Sequence, residues 1–273
     1  MMMRRSAACL VVLLAAVPPA FAKDPPPAAA ATELVPIADR EPTVRAGGIE
    51  LHGSLPIFAE PDIGSDKLIL GGIGGAFGVT DGLELGADYA FEVSPETDAA
   101  GVLAGHALFR IAHDEHVSAA LGGAFLYSNA ADGMVFAGGL SLRYRLSKEV
   151  SIFSASSGIP LCGSCLQLLG PVTGQLLIAR DNDGGESLVA LSLPIGIGIQ
   201  ASPQVYLFGE TVLSTILLSP ESESIVDFQD YIGLHLGGWI SASKNLDIGG
   251  GFANDLKQAS DAYLIELRAR LLL

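Results

Sequence analysis

Hydrophobic and polar side chains alternate with a period of two along much of this 273-residue chain. Residues 82–93 show the pattern most clearly, because the odd positions are apolar and the even ones include Glu84, Asp88 and Glu92. Successive side chains of a β-strand point to opposite faces of its sheet. The pattern therefore predicts a strand with one apolar face and one face that carries three carboxylates.

The same alternation recurs in further segments, each with one continuous apolar face. These segments are 101–112, 116–127, 134–146, 187–200 and 263–273. A tilted strand crosses a bilayer with about 9–11 residues, and the alternating segments are long enough for that. On the predicted polar faces lie Arg110, Arg143, Arg145, Glu266, Arg268 and Arg270.

The connections between these segments are alternately short and long. Short turns are expected near residues 80–82, 113–116, 147–149, 202–204 and 243–245, and longer loops near 59–66, 94–100, 128–133, 159–186, 216–225 and 254–261. Five short turns between six longer loops give twelve strands, with both chain ends on the short-turn side. An even count with short turns on one side is typical of a bacterial transmembrane barrel. The predicted fold class is therefore all-β, an antiparallel transmembrane β-barrel of about 12 strands.

Composition favours a membrane protein. The chain is 49% hydrophobic and only 16% charged, whereas a soluble domain carries about 25% charged residues. Two long uncharged runs, 151–179 and 188–209, raise the alternative of transmembrane helices, but glycine and proline interrupt both. A soluble β-sandwich remains a second alternative. The acidic balance, 15 Lys+Arg against 30 Asp+Glu, argues against nucleic acid as a partner.

From about Gly47 onward the chain resembles Gram-negative outer-membrane β-barrel proteins. Residues 77–89 are similar to the strand–short turn–strand units of that class, and the alternating C-terminal segment resembles its insertion signal, which usually ends in an aromatic residue. Here the last residue is Leu273. The resemblance implies the bacterial outer membrane as the location, with membrane lipid and the barrel-assembly machinery as partners. It implies no catalytic residues.

Residues 1–22 read as a cleaved signal peptide, with Arg4 and Arg5, an apolar run, and Ala20-Phe21-Ala22 as the cleavage site. Residues 23–46 form a Pro/Ala-rich linker, for which we expect a disordered or extended lead-in. Residues 47–273 form the predicted barrel.

Two cysteines follow the predicted cleavage site, Cys162 and Cys165. A local disulfide fits an exported protein. A free dithiol and a redox pair are the alternatives. The cysteines belong to the longest predicted loop, 159–186, which is rich in leucine. We expect this segment to extend neighbouring strands or to enter the barrel mouth and narrow the entrance, since apolar surface is costly in water.

The chemistry-bearing residues suggest three functions. The lumen-facing charges could form a polarised constriction in a passive, porin-like channel for small solutes. They could equally be paired ions that stabilise a non-conducting structural or surface-interaction barrel. A lipid-modifying enzyme would need a Ser–His pair, but there is no G-x-S-x-G string to accompany His52, His106 or His235. We expect no enzyme activity and no cofactor. We also expect no metal: residues 113–116, His-Asp-Glu-His, are the densest group of possible ligands, but they also fit a plain polar turn.

Overall fold

The structure is a computed structural model of the 273-residue chain. It describes residues 34–59, 68–94, 101–128, 133–154, 176–181, 188–218, 227–228, 233–256 and 263–273. These residues belong to one compact unit, Leu34–Leu273. The predicted signal peptide, residues 23–33 and the Cys162–Cys165 pair lie outside the described residues.

Fourteen strand segments follow a short 3₁₀ turn, Ile37–Asp39. They are β1 (Ile49–Ala59), β2 (Leu68–Thr80), β3 (Leu83–Ser94), β4 (Val102–His113), β5 (Val117–Ser128), β6 (Gly133–Arg145), β7 (Val150–Ser154), β8 (Leu176–Asp181), β9 (Leu188–Gln200), β10 (Val205–Leu218), β11 (Asp227–Phe228), β12 (Gly233–Ser241), β13 (Leu246–Asp255) and β14 (Tyr263–Leu272).

The fourteen segments occupy twelve strand positions in the wall of a closed antiparallel barrel. Segments β7 and β8 both pair with β6 and β9, one at each end, so they share one position. Likewise β11 and β12 both pair with β10. The first and last strands pair over ten residues and close the ring. The prediction of an antiparallel barrel of about 12 strands is confirmed.

The two ends of the barrel differ in the length of their connections. At one end the strands are joined by residues 81–82, 114–116, 146–149, 201–204 and 242–245, and we call it the short-turn end. The start of β1 and the end of β14 also lie there, since the Ile49 N–H donates to the Leu273 carbonyl. We call the opposite end the long-loop end. The expected loop 159–186 contains strand β8, which pairs with β6 and β9.

The outer face of the wall is apolar and uncovered. Ile73 is 59% exposed, Phe109 57% and Leu121 54%, although all three are large hydrophobic side chains. The residues that alternate with such outer positions point to the inner face. On β3 these inner residues include Glu84 and Asp88, which are buried. In a soluble protein this arrangement would be inverted, because burial of apolar surface drives folding in water. Within the described residues, no helix is long and apolar enough to cross a membrane.

Glycines on one strand make room for large inner side chains on a neighbouring strand. A Cβ atom added to Gly249 would lie 2.6 Å from the indole of Trp239. The same relation holds at Gly198 with Tyr206, Gly196 with Phe153, Gly237 with Phe208, and Gly86 with His106. The high glycine content, 33 of 273 residues, thus includes positions where inner side chains lie flat across a neighbouring backbone.

The described part of the predicted linker, residues 34–46, contains a 3₁₀ turn at Ile37–Asp39 and extended backbone at Arg40. It lies against the inner wall at the short-turn end, where Ile37 and Ala38 are buried. Gly47 has φ 75°, a conformation that glycine adopts without strain, and it directs the chain from the interior into β1. Its sequence has no period and therefore predicts no regular element, whereas the segment is held by contacts with distant residues of the wall.

Candidate functional site

One inner-face cluster is built around Asp88 of β3. Its two carboxylate oxygens lie 2.5 Å from His52 Nε2 of β1 and 3.0 Å from His106 Nδ1 of β4. His52 reaches Asp88 across Gly74 of β2, where an added Cβ would lie 2.1 Å from the carboxylate. Two imidazoles therefore share one buried carboxylate, and Gly74 leaves the room in which His52 meets Asp88.

Further carboxylates extend this cluster. Glu50 Oε1 lies 3.4 Å from His52 Nδ1, and Glu84 Oε1 lies 3.5 Å from His106 Nε2. Glu92 lies on the same inner face of β3, nearer the long-loop end, and is partly buried. The inner side of β1–β4 is thus a continuous band of histidine and carboxylate side chains.

A second cluster lies on β12–β14. Glu266 Oε1 is 3.1 Å from His235 Nε2, and Glu266 Oε2 accepts a hydrogen bond of 2.6 Å from Arg268. The His235 side chain is 1% exposed and that of Glu266 is 4% exposed. Gly251 of the intervening β13 again leaves the room, because an added Cβ there would meet both side chains.

Asp247 holds a third group of polar side chains near the short-turn end. It accepts hydrogen bonds of 2.9 and 3.0 Å from Arg270 and one of 2.8 Å from Ser241. The Arg270 guanidinium also lies 5.4 Å from the centre of the Trp239 ring, a cation–π distance. Asp247 is fully buried, so these donors supply the compensation that a buried carboxylate requires.

The segment 34–46 is bound by the wall through its backbone. The carbonyls of Ile37 and Ala38 each accept a hydrogen bond of 3.2 Å from Arg143. Arg145 donates to the Ala38 carbonyl at 2.8 Å, and the Ala38 N–H donates to Gln200 Oε1 at 2.9 Å. Both backbone groups of Ala38 therefore have partners on the barrel.

Three consecutive charged side chains of the segment also have partners of opposite charge. Asp39 pairs with Arg145, Arg40 with Asp247, and Glu41 with Arg110 at 2.5 Å. Further along, the Val44 N–H donates to Glu84 at 2.7 Å, and the Ala46 N–H donates to Asp81 at 3.2 Å. The predicted cations of the short-turn end are thus engaged by this segment.

The structure places all nine predicted charges on the face opposite the exposed apolar side chains, and it divides them into groups. Their role in solute passage stays a prediction. Glu84 and Asp88 meet through histidines, Glu266 meets Arg268, and Arg270 meets Asp247. Asp247 and Arg40 are not among the nine charges predicted from the sequence. Alternation over 246–253 could have placed Asp247 on the inner face, but no local signal indicates that residue 40 binds it.

The turn at residues 113–116 has the geometry of a polar turn. Asp114 accepts hydrogen bonds of 2.7 Å from the N–H groups of His116 and Val117, and these bonds lower the pKa of Asp114. His113 Nδ1 lies 3.4 Å from Ser118 Oγ at an exposed position. The Asp114 carboxylate is directed to the backbone N–H groups of the turn and not to this histidine. Among the residues that the structure describes, no group of three or more metal-ligating side chains is found.

A closed antiparallel barrel of twelve strand positions with an apolar outer face and a charged inner face is the fold of bacterial outer-membrane β-barrel proteins. The resemblance to that class is confirmed at the level of the fold. No family model matches the chain, and no curated protein matches it.

Several solved structures are similar to this chain. The NanC porin superimposes with a TM-score of 0.52 at 6% identity, covering 81% of this chain and 98% of that one. The KdgM porin gives 0.49 at 8% identity, with 81% and 98% covered. The outer-membrane protein Omp33 of Acinetobacter baumannii gives 0.43 at 8% identity, with 82% and 97% covered. At such identities the likeness extends to the fold alone.

Proposed function

We propose that this protein is a passive channel for small solutes in the outer membrane of a Gram-negative bacterium. The observation that carries the proposal is the division of the wall: a closed barrel with charge on its inner face and uncovered hydrophobic side chains on its outer face. Hydrocarbon is the environment that suits such an outer face. The short-turn end then faces the periplasm and the long-loop end faces the outside.

Export and insertion follow from the same proposal. The segment 1–22 is cleaved as a signal peptide, and the barrel-assembly machinery recognises the alternating strand β14. On this strand Tyr263, Ile265 and Leu267 are exposed on the outer face, while Leu264 and Glu266 are buried on the inner one. A β-strand that carries this alternation has the apolar face that insertion into lipid requires.

Charge on the inner face supports selection among solutes. Histidines and carboxylates line β1–β4, whereas Arg110, Arg143 and Arg145 lie on β4 and β6 toward the short-turn end. A solute that moves along the axis therefore meets fields of opposite sign from different parts of the wall. Such rings and patches of charge are the means by which pores distinguish ions.

A non-conducting structural barrel is the second candidate, and one observation favours it. Inner side chains such as Asp247 and His235 are almost completely buried and lie against other inner groups. Small barrels are often filled by their own side chains in this way. Current measurements distinguish the two functions, because only the channel conducts.

Planar-bilayer recording of the mature chain tests the proposal. A channel gives discrete current steps, and a salt gradient across the bilayer gives a reversal potential that reports its preference for cations or anions. Substitution Asp88→Asn should shift that potential toward anions, whereas Glu115→Gln, at the exposed turn, should leave it near the wild-type value. Folded and inserted barrels that never conduct, at any voltage or salt concentration, would establish the structural barrel instead.

A further inference from the structure

We propose that residues 34–46 are a displaceable plug that limits passage through the short-turn end of the barrel. The inference rests on the proposed channel function. The segment lies inside the wall, is joined covalently to β1 through Gly47, and occupies the opening at which the strands are connected by short turns. Three different kinds of contact hold it there.

The first contact is an apolar anchor. Ile37 packs into a cluster with Phe153, Tyr206 and Phe208, and Trp239 packs against the same cluster. On the inner face these aromatic rings surround the side chains of Ile37 and Ala38, which belong to the same cluster. Ile37 is 6% exposed, so its burial contributes the hydrophobic part of the docking.

The second contact is a matched series of charges. Asp39, Arg40 and Glu41 are consecutive, and each meets an opposite charge on a different strand. The Arg110–Glu41 side chains keep 23% and 27% exposure, so water and salt can compete for this pair. Partly exposed pairs of this kind are worth little individually, which suits a segment that leaves and returns.

The third contact is close backbone packing over Gly78 of β2. A Cβ atom added there would lie 1.9 Å from the Arg45 carbonyl oxygen and 2.5 Å from that of Val44. The segment therefore passes directly over a position where the wall has no side chain. Together the three contacts bind one particular sequence by its side chains and its backbone, rather than merely filling space.

The plug also covers charges of the opening. With the segment docked, Arg110 faces Glu41, Arg145 faces Asp39, and Asp247 faces Arg40. Release of the segment removes these partners from the wall. It therefore widens the opening and exposes wall charges of both signs to the solute.

Current recording on the full mature chain, combined with fluorescence, tests the plug. Trp239 is the only tryptophan of the chain and touches the Ile37 cluster, so its quenching by acrylamide reports docking independently of any current. We expect Ile37→Asp to increase both the quenching of Trp239 and the open probability. Glu41→Arg should raise the open probability about fivefold, because attraction is replaced by repulsion.

A charge exchange provides the specific control. Combining Glu41→Arg with Arg110→Glu restores the pair with reversed polarity and should return the open probability toward the wild-type value. Glu115→Arg makes the same change of charge at an exposed turn of the same end, away from the segment, and should have little effect. Glu41→Arg alters a partly exposed side chain, so it serves if Ile37→Asp fails to fold.

The outcomes separate the two proposals. Increased quenching and increased open probability, reversed by the charge exchange, support the plug. If wild type, Ile37→Asp and Glu41→Arg give equal and steady currents, the plug is wrong but the channel function stands. The plug is also wrong if the quenching of Trp239 is the same in these three proteins. Increased quenching without current in any inserted variant contradicts the proposed channel function, and the inference about passage falls with it.

Discussion

The packing of Trp239 over Gly249 makes a sharp prediction about stability. An alanine Cβ at position 249 would lie 2.6 Å from two ring atoms of the indole and 2.9 Å from the Gly238 carbonyl oxygen. Carbon atoms in contact are normally about 3.5–4.0 Å apart, so the indole must move by about 1 Å. Arg270 lies near the same ring, 5.4 Å from its centre, and its contact would be disturbed as well.

The size of the effect follows from opposing contributions. Overpacking of this kind costs about 1–3 kcal/mol, and a weakened cation–π contact adds roughly 0.5–1 kcal/mol. Replacing glycine by alanine within a strand returns about 0.5–1 kcal/mol. We therefore expect Gly249→Ala to lower the free energy of unfolding by about 1–3 kcal/mol. With a urea dependence of roughly 2 kcal/mol per molar, the midpoint should fall by about 0.5–1.5 M.

Equilibrium unfolding in urea, with the barrel folded in detergent micelles, measures this midpoint by far-ultraviolet circular dichroism. The matched control is Gly123→Ala on β5, where the added Cβ would be 3.8 Å from the Ala137 carbonyl oxygen, an ordinary contact. The control should unfold at the same urea concentration as wild type or at a higher one. Equal midpoints for the two variants, with unchanged Trp239 emission, would refute the proposed packing.

Three further predictions concern other parts of the barrel. Replacing Asp88 by Leu should destabilise the fold by about 3–5 kcal/mol in the same urea assay, because His52 and His106 lose their shared carboxylate. Phe136→Arg should cost roughly 2–4 kcal/mol in lipid vesicles if this outer face meets hydrocarbon near the bilayer centre, and unchanged stability would contradict that placement. Because its folded pKa is lowered, Asp114 stabilises the protein above its unfolded pKa, and this contribution is lost as the pH falls through the folded pKa. Asp114→Asn should remove that part of the acid dependence, which unfolding measured as a function of pH can detect.

Alternation by itself determined which face of most strands meets lipid. The outer positions Leu85, Leu121 and Ile197 are exposed, as their period of two predicts. The inner positions Glu84 and Asp88 followed from the same period. Side-chain direction along a strand is a local property of the backbone, so a single sequence suffices to predict it. The short turns and the strand number followed from the spacing of these segments.

Where the inner face is aromatic, alternation was less informative. On β10 the buried Tyr206 and Phe208 are aromatic, and the outward Leu207 is also apolar. Among residues 205–210, only the buried Glu210 marks the inner face by its polarity. The large inner rings are explained by glycines on paired strands, as at Gly198 and Gly237, and this relation requires the strand register.

Apart from Glu266 and Arg268, which lie two residues apart on one strand, the tertiary structure alone decided which inner charges meet. His52 reaches Asp88 only because Gly74 on the strand between them has no side chain, and that alignment depends on the register of three strands. The docking of Arg40 on Asp247 joins residues 207 positions apart. Local periodicity carries no information about such pairs, because they depend on the closure of the barrel. The path of residues 34–46 was for this reason hidden in the sequence: its stabilising partners are supplied by the completed wall.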